Sequence, residues 1–144
     1  MFNKHSIAGR VAMSKTLGFI VGVVILILLP LIPFETTLEF KIGFILLIMM
    51  MSVTIGLLGV FAHPPMFPGW KFNWWTRGPL VGIFFFLILV LFAKDELGLF
   101  MSLDIVNWTG LTSPYWALID GALLGGLIDY VTTKVCGEGN LPVG

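Results

Sequence analysis

Phe40–Ala62 reads FKIGFILLIMMMSVTIGLLGVFA, 23 residues whose one charge, Lys41, stands at the edge. A helix of that length reaches about 35 Å, enough to cross the roughly 30 Å hydrocarbon core of a bilayer. Three further stretches share this character: Met13–Ile32, Thr76–Phe92 and Tyr115–Val135. Backbone N–H and C=O groups must be paired in lipid, so separate short spans of this kind predict helices rather than open strands. The sequence therefore predicts an all-α integral membrane protein, one domain over residues 1–144, with four transmembrane helices arranged as two hairpins.

Composition agrees. Apolar residues make up 58% of the chain and charged residues 11%, against about 25% charged in an ordinary soluble domain. Mean hydropathy is +1.01. Eight Lys and Arg balance eight Asp and Glu, which gives no basic surface for nucleic acid. The single cysteine, Cys136, rules out an intrachain disulfide and a CxxC zinc site; at the end of the last span it reads as a small packing residue. A basic start and the apolar run Leu17–Leu29 imitate a signal peptide, but Leu-Leu-Pro-Leu-Ile-Pro-Phe-Glu follows with no small-x-small cleavage site, so the first span reads as a retained anchor.

Basic residues fix an orientation. Lys4, Arg10 and Lys15 precede or open the first span, and Lys71 and Arg77 lie between the second and third. The other two connections hold Glu35, Glu39, Asp95, Glu96 and Asp104 with only Lys41 and Lys94. The positive-inside rule then places both termini in the cytoplasm, across a plasma or inner membrane. Boundary signals accompany the spans: Thr36-Thr37-Leu38-Glu39 as a capping box, Thr76 as a cap with Pro79 in the first turn, Ser113-Pro114, the helix-ending Pro30 and Pro33, and Gly137 as a stop. His63–Trp75 crowds Trp70, Trp74 and Trp75 among prolines, an aromatic anchor for the membrane interface, with partner docking as its alternative. Leu97–Trp108 reads as a short surface helix, and Asn107-Trp108-Thr109 matches a glycosylation sequon on the external side.

Glycine spacing speaks to packing. Gly18/Gly22, Gly78/Gly82 and Gly121/Gly125 are each four apart, and such pairs form flat strips on which another helix can lie closely. They predict compact packing within the bundle, with an oligomer interface as the alternative. A shift of 60 residues superposes Gly18 on Gly78, Gly22 on Gly82 and Glu35 on Asp95, the mark of a parallel internal repeat.

Asp120 and Asp129 lie within the fourth stretch, where an ionisable group is costly and therefore a candidate for an ion or solute path. They are nine residues apart and face nearly opposite ways, with Asp129 sharing the face of Gly121 and Gly125. For Asp129 the plainer expectation is a pairing with Lys15 or Arg77 at the cytoplasmic rim; for Asp120 a structural hydrogen bond competes with a proton or ion site. His5 and His63 stand apart from any Cys/His cluster, the seven methionines read as packing, and no phosphate-loop, nucleophile-elbow or calcium-loop sequence occurs. No cofactor or metal is expected. The leading expectation is a non-enzymatic accessory or scaffold protein in the bilayer, joined to itself or to a larger membrane complex. A small homo-oligomeric transporter or channel using Asp120 and Asp129 stands second, and a membrane enzyme third.

Overall fold

A computed structural model describes residues 6–28, 37–61, 73–103, 110 and 112–137. These residues form helices α1 (Ile7–Leu28), α2 (Leu38–Leu58), α3 (Trp74–Phe92), α4 (Lys94–Met101) and α5 (Ala117–Cys136), the last preceded by a 3-10 turn, Pro114–Trp116. No strand occurs among them. Three helices, α1, α2 and α3, are long and apolar enough to cross a membrane, the mark of a membrane protein. The fourth stretch is helical and of similar length, but α5 carries Asp120, Asp129 and Lys134 and so falls short of the same apolar standard.

Local chemistry sets the ends, and several differ from the sequence expectation. The Gly9 N–H donates to Ser6 Oγ at 3.0 Å, which caps α1 and starts it at Ile7 rather than Met13. Arg10 is thereby inside the helix. Thr37, one residue later than a Thr36 capping box requires, caps α2 by accepting from the Phe40 N–H at 3.2 Å. Asn73 holds the N-cap position of α3, and the Thr76 hydroxyl donates to the Asn73 carbonyl, so Pro79 falls in the second turn. Gly137 ends α5 with φ of 79°, a left-handed conformation that costs glycine little, and its N–H donates to Thr133 O. Trp70, Pro30, Pro33, His5, His63 and the Asn107 sequon lie outside the described residues.

The long helices pair as α1 with α2 and α3 with α5. In both pairs small residues make the seam. A Cβ placed on Gly78 would lie 2.6 Å from the Gly125 carbonyl oxygen, and one on Gly121 would lie 2.6 Å from that of Gly82. Gly18 is equally tight against Ser52, and Gly56 against Ser14. Backbones approach this closely only where side chains are absent, and the gain is dispersion contact along the seam. Between the pairs sit Ile48, Met51 and Ile55 of α2, Val81, Phe86, Leu89 and Val90 of α3, and Ala117 and Ile128 of α5, all buried. Large apolar residues face outward, among them Phe19, Ile27, Met50, Phe84, Leu91 and Leu123. Water would penalise that surface; lipid does not.

The glycines matched by the 60-residue shift do not sit at one depth. Gly18 lies two turns beyond Arg10 in α1, whereas Gly78 directly follows Arg77 in α3, and both arginines reach the same carboxylate.

Candidate functional site: a buried arginine–aspartate cluster

At one end of the bundle the first turns of α1 and α3 meet the last turns of α2 and α5. Arg10 and Arg77 each occupy the fourth position of their helix, with side chains pointing inward. Asp129 enters from α5, on the face it shares with Gly121 and Gly125, and packs beside Gly78. Side-chain exposure is 0% for Arg10, 1% for Arg77 and 0% for Asp129, so these charges depend on one another rather than on water.

The geometry is that of a fork. Arg77 Nε donates to Asp129 Oδ2 at 2.7 Å and Arg77 Nη2 to Oδ1 at 2.7 Å, the bidentate arrangement that a guanidinium and a carboxylate favour. Arg10 Nη2 donates to the same Oδ1 at 3.0 Å and to Thr133 Oγ1 at 3.0 Å. The Thr133 hydroxyl donates in turn to Oδ1 at 3.1 Å. Arg10 Nε reaches the Gly56 carbonyl at 3.1 Å, and Arg10 Nη1 reaches the Gly137 carbonyl.

Those carbonyls explain the choice of arginine. Past the end of α2 the Val60 N–H turns back to Leu57 O, so no following backbone N–H in the turn takes Gly56 O. Arg10 supplies the donor that the helix end lacks. Its charge also lies beside the negative ends of α2 and α5, a favourable place for a cation. Arg77 ties α3 to α5, whereas Arg10 ties α1 to both α2 and α5.

No family model, curated relative or solved structure matches the chain. The site is therefore read from its own chemistry. Two guanidiniums against one carboxylate hold helices together. Among the described residues no three His, Cys, Asp or Glu side chains gather as metal ligands.

The structure does not bring Asp120 to this cluster. Asp120 lies in the first turn of α5, exposed, on the opposite face and about 13 Å farther along the axis. Gly18, Gly22, Gly78, Gly82, Gly121 and Gly125 are all buried against other helices of the same chain. Trp74 and Trp75 open α3 on its outer side, and Trp74 packs on Tyr130 with ring centroids 5.0 Å apart. Sequence reasoning named Asp129 and one of its partners, Arg77, and missed Arg10. The signal was present in Arg10, Ser14, Gly18 and Gly22, which recur every four residues and are all buried. The Thr132 hydroxyl is buried with no hydrogen-bond partner among the described residues.

Proposed function

We propose that this chain is a four-span membrane protein with both termini cytoplasmic, acting as an accessory or scaffold subunit rather than as a transporter or enzyme. The observation that carries this reading is the state of Asp129. It is the most deeply placed ionisable group of the fourth helix, and a conducting path would need it accessible, yet it is sealed between Arg10 and Arg77. The glycine strips are engaged inside the bundle, so a partner subunit would meet the aliphatic and aromatic outer faces. A fourth span is supported by charge placement: Asp129 is neutralised within the bundle, while Asp120 and Lys134 occupy terminal turns from which side chains reach the interface.

Native mass spectrometry of protein extracted in mild detergent tests the functional reading. A larger membrane protein carried in fixed ratio is the expected outcome; a lone homo-oligomer whose vesicles conduct would replace it with the transporter reading. Orientation is checked by thiol labelling of intact cells. Cys136 is buried and in no disulfide, so the signal should come from an introduced cysteine. Ser102→Cys should label from outside and Lys15→Cys only after permeabilisation.

A further inference from the structure

Outside the buried cluster, at the same end of the bundle, lies a second grouping that the scaffold reading leaves unused. Trp74 of α3 and Tyr130 of α5 stack at 5.0 Å with a 58° tilt, and both are exposed. Lys134, one turn beyond Tyr130, places Nζ 5.5 Å from the centre of the tyrosine ring and donates to its hydroxyl at 3.4 Å. Trp75, also exposed, flanks the pair in sequence. We propose that Lys134, Tyr130 and Trp74 form a binding site for the headgroup of an anionic phospholipid; this rests on the membrane reading above.

Three observations point to that occupant. The first is charge. The described residues at this end include Arg10, Lys15, Arg77 and Lys134 against the single acid Asp129, which two arginines already neutralise. At the far end Glu39, Asp95, Glu96 and Asp120 outnumber Lys41 and Lys94. The field at the patch is therefore positive, and it suits a phosphodiester of net negative charge better than a zwitterion. The second is donor chemistry. An ammonium, a phenol O–H and an indole N–H sit together, each able to donate to phosphate oxygen. The third is position. The patch spans the first turn of α3 and the last turns of α5, where a helix leaves the hydrocarbon and amphipathic rings settle at headgroup level. Lys134 forms no ion pair among the described residues.

The test uses the full chain in nanodiscs of equal parts phosphatidylcholine and phosphatidylglycerol, with retained lipid counted by native mass spectrometry. The wild type should keep phosphatidylglycerol in preference to phosphatidylcholine. Lys134→Gln should lower that retention well beyond the roughly fivefold that one lysine contributes near an anionic surface. Lys15→Gln, an exposed lysine at the same end without a ring pair, should lower it by no more than that diffuse contribution. Equal loss in both variants would reduce the effect to diffuse attraction and overturn the site, as would a wild type with no preference. Failure of the wild type to float with vesicles at all would instead overturn the membrane reading, and the lipid site with it.

Discussion

Arg10 and Asp129 stand 119 residues apart in the chain and meet at 3.0 Å, both without solvent exposure. This contact joins the α1–α2 pair to the α3–α5 pair, whereas Arg77 and Asp129 belong to one pair. A single carboxylate thus serves an internal bond and a bond between halves, and the two can be separated experimentally.

Asp129→Asn should be severely destabilising, because it leaves two buried guanidiniums facing a neutral amide. Breaking a buried ion pair by removing one partner costs about 3–5 kcal/mol. Unfolding in mixed micelles should show a loss of that order. A variant as stable as the wild type would mean that the cluster does not hold the bundle.

Arg10→Gln should weaken the contact between halves more than Arg77→Gln does. With residues 1–66 and 67–144 co-expressed as separate chains, Arg10→Gln should reduce their co-purification tenfold or more, since hydrogen bonds to charged groups contribute about 1.5–3 kcal/mol. Equal retention of the two fragments would contradict the bridging role.

Gly82→Ala should be costly and Gly43→Ala should not. A methyl on Gly82 would collide with the Gly121 backbone, while one on Gly43 meets nothing within 4 Å. Overpacking costs about 1–3 kcal/mol, and alanine in an open helical position is favoured over glycine by up to about 1 kcal/mol. Melting temperatures should therefore move in opposite directions.

Thr132→Val should be neutral or stabilising by about 1 kcal/mol, since it removes a buried hydroxyl without a partner among the described residues. A clear loss of stability would mean that this hydroxyl makes a bond the geometry does not reveal.

Asp120→Asn should change stability by about 0.5 kcal/mol or less, as expected for an exposed residue near a helix start. Vesicles bearing the wild type should show no ion flux above empty vesicles. A flux that Asp120→Asn abolished would replace the scaffold reading with transport.

The helical class was legible because lipid-length apolar runs admit few alternatives, and the inward direction of Asp129 followed from its spacing to Gly121 and Gly125. Helix starts were less legible. Hydropathy marks where charge ends, not where hydrogen bonding begins, so Met13 stood in for Ile7 and Arg10 read as part of a tail. The same cause hid the cluster. A charge that is buried by pairing across the fold looks, in one dimension, like a charge that belongs to solvent. The small-residue series Ser14, Gly18 and Gly22 leading back to Arg10 was the one local sign of its direction.

The shared carboxylate also bears on biosynthesis. The ribosome releases Arg10 more than a hundred residues before Asp129, so α1 enters the bilayer with its cation not yet matched to that acid. Arg77 and Asp129 emerge closer together, and the later pair can close on itself. The Arg10 contact can form only once Asp129 has been synthesised, and its second anchor, the Gly137 carbonyl, comes later still. A product truncated before Asp129 would leave Arg10 without that carboxylate.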